Sequence, residues 1–182
     1  MSNIFNNYDF RAILAMDGNC CIGKDDGLPW HHEPQDMKRF RDLTTGHAVL
    51  MGKKTWDSLP EDYRPLPNRT NIVLTNNPKD VVGLGNNNFA IPSVEMLKHY
   101  VATGTKLFLI GGANMYDQFI QYARIVHLTH FNHVFDGDVV LSKKVQSMLD
   151  EAYVLGGSSN LMFSDYGYSI DFMDVSFSSD VR

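Results

Sequence analysis

A chain of 182 residues, 43% hydrophobic and 12% aromatic, can bury one substantial core, so residues 1–182 are read as a single domain. Its 16 basic and 21 acidic residues leave a formal charge of −5 and are spread along the chain rather than gathered in a block, which argues against nucleic acid as a partner. The start, MSNIFNNYDFRAILAM, has no cationic stretch leading into a long apolar one, and no apolar run reaches spanning length, so a cytoplasmic protein with no membrane partner is expected.

Residues 10–16 (FRAILAM) are apolar and bounded by DGN, the pattern of a buried central strand in a parallel sheet. A loop carrying Gly18, Gly23, Gly27 and Pro29 follows, in the place where lids and ligand contacts lie. It holds the two cysteines, Cys20 and Cys21, whose adjacency strains a mutual disulfide and which cannot supply a whole zinc site; free thiols in a reducing compartment are expected. Pro34 suits the first turn of a helix with Met37, Phe40 and Thr44 on one face and Gly46 at its end.

AVLM (48–51) predicts a second buried strand running straight into a short helix at GKKTWDSL, and TNIVLTN (70–76) a third strand. The Gly- and Asn-rich NNPKDVVGLGNNN is left as an irregular connection, and Ser93 is read as the cap of a helix over 94–102. TKLFLIGG (105–112) is the fourth strong strand, ANMYDQFIQYA a helix with Met115, Phe119 and Tyr122 on one side, and ARIVHLTHF (123–131) a further strand. From about 152 the pattern changes: YVLGG and GYSIDFMDVSF alternate without a helix between them, as antiparallel edge strands do. The expected fold is α/β, a mostly parallel twisted sheet of about eight strands with an antiparallel C-terminal edge, flanked by about four helices. Ligands then bind beyond the carboxyl ends of the parallel strands, where the 17–30 loop, GKKT and IGG fall.

MGKKT sets a helix N-terminus beside Lys53 and Lys54, which suits a phosphate, although lysines on a solvated helix start explain the motif equally well in isolation. A nucleoside triphosphate loop is excluded, because five residues rather than four separate Gly46 from Gly52 and AVLM belongs in a strand. Gly111 and Gly112 make a tight turn and permit close approach of a flat ring, but no GxGxxG fingerprint. Asp36 is the carboxylate singled out. It falls one turn before Phe40 and near Trp30, so beyond complementing the helix dipole it can stand at the mouth of an aromatic pocket. His127, His130 and His133 are three apart, a spacing that points to opposite strand faces, so no metal is expected and surface or hydrogen-bonded histidines are favoured.

Taken in order, ILAMDGNCCIGKDDGLPW, Asp36 with Phe40, VLMGKKTWDSLP, RPLPNR, NIVLT, LFLIGGANMY and LTHFNHVFDGD resemble the dihydrofolate reductase family, from about residue 11 to 141. The acidic residue six positions after Trp30 matches the spacing of its vertebrate-like members. The resemblance implies NADPH-dependent reduction of dihydrofolate, with antifolates as ligands and a monomer as the expected state. It casts Asp36 as the pterin anchor, Thr129 as its hydrogen-bond partner, Trp30 as the holder of a nearby water, and Leu28 and Phe40 as covers of the ring. Ile13 and Ile110 would face the pterin 4-substituent, Leu66 the aminobenzoyl group, and Arg69 the α-carboxylate of the tail, a task for a planar two-pronged donor. Ala15, Ile22, Gly23, Gly111 and Gly112 would surround the nicotinamide, and Lys53, Lys54, Thr55, Thr75 and Asn76 the phosphates. Ala113, Asn114, Met115 and Tyr116 would line the cofactor from the following helix. The glycine pair would be joined by a cis peptide. A pyrimidine reductase of riboflavin synthesis shares this fold and cofactor but leaves Trp30, Asp36 and Arg69 unexplained as a set. A non-catalytic pterin or nucleotide binder is the alternative of a different class.

Overall fold

The run DFRAILAM forms strand β1 (Asp9–Met16), with Phe10, Ala12, Ile13, Leu14 and Met16 all buried, as a strand covered on both faces requires. In the computed structural model, which describes residues 3–154 and 158–177, there follow β2 (Cys21–Gly23), α1 (Pro34–Thr44), β3 (Ala48–Gly52), α2 (Lys53–Ser58), β4 (Thr70–Leu74), β5 (Phe89–Ile91), β6 (Lys106–Leu109), α3 (Ala113–Phe119), β7 (Ile125–Phe131), β8 (Val139–Val140), α4 (Lys143–Val154), β9 (Ser158–Phe163) and β10 (Ser169–Val175). Eight of the strands form one sheet in the order β5-β4-β3-β6-β1-β7-β10-β9. The first six of that order run parallel, while β10 is antiparallel to β7 and β9 to β10. This is the α/β architecture expected from the pattern, down to the antiparallel C-terminal edge.

Alternation along each strand divides the core. Leu14, Leu50, Ile72, Leu109 and Leu128 pack with Met115, Ile120, Val145 and Leu149 of the α3 and α4 side. Ile13, Val49, Met51, Val73 and Phe108 pack on the other face with Trp56 of α2 and with Phe40 and Leu43 of α1. Each such side chain, fully buried, contributes roughly 1.5–3 kcal/mol.

Several boundaries differ from the sequence reading. YVLGG is not a strand: Tyr153 and Val154 end α4, a helix the reading did not foresee, residues 155–157 lie outside the described residues, and the edge strand is β9. Val145, Leu149 and Ala152 give α4 a buried stripe at helical spacing, which its lysines and acids obscure in a hydropathy reading. The segment after Ser93 is a 3-10 turn over Val94–His99 without a side-chain cap. The connection after β4 closes with β5, too short to register as a periodic signal. The helix expected over 113–123 tightens into a 3-10 turn at Ile120–Tyr122.

Asp17, fully buried, ties the loop after β1 to the segment after β7. Its Oδ1 accepts from the backbone N–H of Asn19 and Cys21, each at 2.8 Å, and its Oδ2 from that of Phe135 at 2.8 Å. β2 then pairs with β8, an approach so close that a Cβ on Gly137 would collide with Cys21 Sγ. Asp17→Ala, which leaves three backbone donors without their acceptor, is expected to lower unfolding stability by about 3 kcal/mol, read from the urea midpoint at unchanged slope.

Candidate active site

Three chain turns converge beyond the carboxyl ends of β1, β3 and β6. The Ile110 N–H donates to the Leu50 carbonyl and the Gly52 N–H to the Gly111 carbonyl, both at 2.9 Å, which draws the two turns together. Gly111 and Gly112 are joined by a cis peptide, as the resemblance implied. Gly111 sits at φ +118°, a conformation closed to ordinary side chains, and a Cβ there would stand 3.3 Å from the Tyr116 hydroxyl. One on Gly112 would stand 3.2 Å from Thr55 Oγ1. The Tyr116 hydroxyl donates to the Ile13 carbonyl at 2.8 Å, so α3 is pinned to β1 across the glycine pair. Met115 packs against Gly52.

Asp36 enters this crevice from the first turn of α1. Pro34 opens the helix and the Glu33 side chain caps it, accepting from the Gln35 N–H at 3.4 Å. Burial holds the Asp36 carboxyl above the ordinary carboxylate range; a hydrogen bond from Thr129 and the charge of Arg39 pull the other way, and Glu33 adds to the rise. The Tyr116 phenol is likewise pushed up, by burial first and by the Asp36 charge second, so Tyr116 and Asp36 lie within electrostatic reach of each other. Thr129 is buried on β7 in register with Ala15 of β1. Trp30 is buried with its ring centre 4.3 Å from that of Phe131, in a cluster that also takes in Ala15 and Phe172.

Ile13, Phe40, Leu66 and Ile110 share one apolar cluster, in which Phe40 stands one helical turn from Asp36. The Arg69 guanidinium lies 5.5 Å from the centre of the Phe40 ring. Its Nε donates to Thr44 Oγ1 at 2.8 Å and Nη1 to the Pro67 carbonyl at 2.6 Å, while the buried Nη2 has no partner among the described residues. Leu28, by contrast, is 53% exposed and joins no apolar cluster.

On the other side, Gly52 pairs with Leu74, so Lys53 and Thr75 begin neighbouring turns. Lys53 Nζ is held by Asp57 at 2.5 Å, one helical turn on, while Lys54 and Asn76 are exposed. Ile22 and Gly23 lie on β2, and Ala113 and Asn114 open α3. A hollow of about 300 Å³ lies at the opposite strand ends, lined by Phe5, Tyr8, Tyr122 and Arg124, and includes none of these residues.

Residues 9–159 match the family model for dihydrofolate reductase. The chain belongs to the dihydrofolate reductase family. It is 39% identical over 127 residues to the dihydrofolate reductase of Bacillus subtilis, covering 69% of this chain and 71% of that one. Against the dihydrofolate reductase of Haemophilus influenzae the identity is 38% over 129 residues, covering 71% and 76% of the two. A solved structure of dihydrofolate reductase from Enterococcus faecalis, complexed with NADP(H) and RAB-propyl, superposes with a TM-score of 0.75 at 27% identity over 93% of this chain and 96% of that one. The chain is thus an enzyme of the dihydrofolate reductase family, and no helix among its described residues is long and apolar enough to cross a membrane.

Sequence reasoning missed Arg39, one helical turn from Asp36, and the pair Asp174 and His127 that backs it. Arg39 could have been found from its three-residue spacing to Asp36 on a helix. His127, read as surface or hydrogen-bonded, is buried against Asp174, and nothing in a linear sequence announces a pair 47 residues apart.

A carboxyl whose folded pKa is raised costs nothing while both states are protonated and costs most once pH exceeds the folded value. Asp36→Asn is therefore expected to raise the melting temperature of the ligand-free protein at neutral pH by about 2–4 °C, and the gain should vanish below about pH 4. Calorimetry at the two pH values reads the difference.

Proposed function

We propose that the chain is a cytoplasmic, monomeric, single-domain reductase that uses NADPH to convert 7,8-dihydrofolate to 5,6,7,8-tetrahydrofolate, with antifolates as competitors for the same crevice. The observation that carries this reading is Asp36, a half-buried carboxyl in the first turn of α1 that is hydrogen-bonded by Thr129, held above the ordinary carboxylate range by burial, and one helical turn from Phe40. When ionised it can accept two hydrogen bonds from the pterin 2-amino group and ring N–H, worth roughly 1.5–3 kcal/mol each. Thr129 orients it and Trp30 holds a water beside it. Ile13 and Ile110 offer carbonyls to the pterin 4-substituent; that of Ile13 keeps one lone pair free beyond its bond from Tyr116. Phe40 and Leu28 cover the ring, Leu28 by folding inward with the loop, and Leu66 meets the aminobenzoyl group. The unpartnered Nη2 of Arg69, aimed by bonds to Thr44 and Pro67, is suited to the tail carboxylate.

The residues present fit NADPH. Added Cβ atoms would crowd the surface at Gly111 and Gly112, leaving a bare backbone on which a flat ring can lie. Ala15, Ile22 and Gly23 complete that surroundings. Lys53, Lys54, Thr55, Thr75 and Asn76 take the phosphate side, and Ala113, Asn114, Met115 and Tyr116 the α3 side. When bound, the cofactor supplies hydride from its nicotinamide to pterin C6, and N5 takes a proton. No side chain is assigned to reach N5. Water admitted beneath the 17–30 loop delivers that proton, Asp36 polarises the ring, and closure of the loop excludes bulk solvent.

Mixing the protein with NADPH and dihydrofolate should lower absorbance at 340 nm, and methotrexate should abolish the change; no change would sink the reading. Asp36→Asn is expected to slow hydride transfer at neutral pH at least about 10²-fold with the NADPH Kd nearly unchanged, measured by single-turnover kinetics and titration. Lys53→Ala combined with Lys54→Ala should weaken NADPH binding much more than NADH binding, by about tenfold or more, because only NADPH carries the 2′-phosphate.

A further inference from the structure

Behind Asp36 runs a line of charges that the proposed reaction does not use. Arg39 lies three residues along α1 and reaches β10, where Nη2 donates to Asp174 Oδ1 at 2.7 Å and to the Met173 carbonyl at 3.3 Å. The guanidinium carbon also stands 5.1 Å from the centre of the Phe172 ring. Asp174 Oδ1 takes a second contact, from His127 Nδ1 at 2.6 Å. His127 pairs with Asp174 in the sheet and Thr129 with Phe172, so the histidine and the hydrogen-bond partner of Asp36 stand on one face of β7. Arg39 Nη1 and His127 Nε2 are buried without a partner among the described residues.

The exposures of this pair differ. The Arg39 side chain is 17% exposed and that of Asp174 47%, so solvent screens the acid more than the base. Asp36 lies three residues before Arg39 on the same helix, a spacing at which side chains are neighbours, and so feels the guanidinium charge. Asp36 faces Glu33 at the cap of α1, Arg39 on α1, Tyr116 on α3 and Thr129 on β7; Arg39 in turn faces Asp174 on β10 and, through it, His127. Among the described residues that face Asp36, Arg39 alone brings a positive charge.

We propose that Arg39 is a positioning residue for the reaction: Asp174 and His127 fix its guanidinium beneath α1, and its charge keeps Asp36 ionised against the cost of burial. This rests on the reading of Asp36 as the pterin anchor, since only an ionised carboxylate accepts both hydrogen bonds. Burial of Asp36 alone favours its neutral form, and Arg39 and Thr129 oppose that. Asp174 is itself held below the ordinary range, first by its hydrogen bond with His127, and so remains a charged clamp on Arg39.

The test is a carboxyl ¹³C titration of the ligand-free protein, with the Asp36 signal assigned by its loss in Asp36→Asn. Arg39→Gln should raise the Asp36 midpoint by at least about half a pH unit, roughly a threefold change in its ionised-to-neutral ratio, and Arg39→Lys should leave it near the parent value. Asp174→Asn removes the counter-charge and should lower the midpoint by less. Loosened helix packing would move both neutralising variants the same way, so shifts of one sign, or none in Arg39→Gln, would overturn the proposal. The KM for dihydrofolate should follow the same midpoints as pH falls. Midpoints that move as expected while that KM ignores them would uphold the coupling and overturn Asp36 as the anchor.

Discussion

One carboxyl, half-buried in the first turn of a helix and held above the ordinary carboxylate range, is the constraint to which the rest of the candidate site is referred. Asp36 could reach bulk solvent with a different rotation of α1, yet the helix is set with Phe40 and Leu43 in the core, and that rotation turns Asp36 inward as well. The stripe that buries the helix and the group that makes it useful share one face. Around the carboxylate the protein supplies partial compensation only: a hydroxyl from β7, a guanidinium one turn away, and a second acid, Glu33, that works against ionisation. A carboxylate so incompletely matched has interactions left to offer a ligand, which is the usual mark of a functional rather than a structural acid.

The opposite wall is made by absence of side chains. Gly111 and Gly112 stand between Thr55 and Tyr116, and a methyl group on either would push into those neighbours. The bond from Tyr116 to the Ile13 carbonyl then ties the wall to the central strand, so both sides of the crevice are referred to β1. Asp17 performs a related task at the end of that strand, where its carboxylate gathers backbone donors from two loops. The candidate site residues thus stand mainly on strand ends and helix starts whose positions the sheet fixes, whereas Leu28, within the 17–30 loop, is exposed.

Much of this was legible beforehand because the signals were local. Continuous apolar runs such as AVLM and KLFL mark strands buried on both faces, and Pro34 followed by apolar residues at helical spacing marks α1. The elements that escaped were those whose stability comes from neighbours. β5, β2 and β8 are two or three residues long and exist only by pairing, and α4 hides its buried stripe among charged positions. Glu33 was equally unreadable as a cap, because its burial depends on Ser164 and Tyr168 arriving from the far end of the chain.

By itself the sequence determined the class of fold, the parallel core with its antiparallel edge, the crevice at the strand ends, and the kinds of group gathered there. These follow from periodicity and from residue types whose chemistry is narrow: a lone acid near aromatics, paired glycines and paired lysines; Arg69 came only with the resemblance to the family. Only the tertiary structure decided how charged Asp36 is, which nitrogen of Arg69 is left free, that Lys53 already has a partner in Asp57, and that Arg39 is backed by Asp174 and His127. Burial, and the field at a buried group, are sums over neighbours brought from distant parts of the chain, and no window along the sequence contains them.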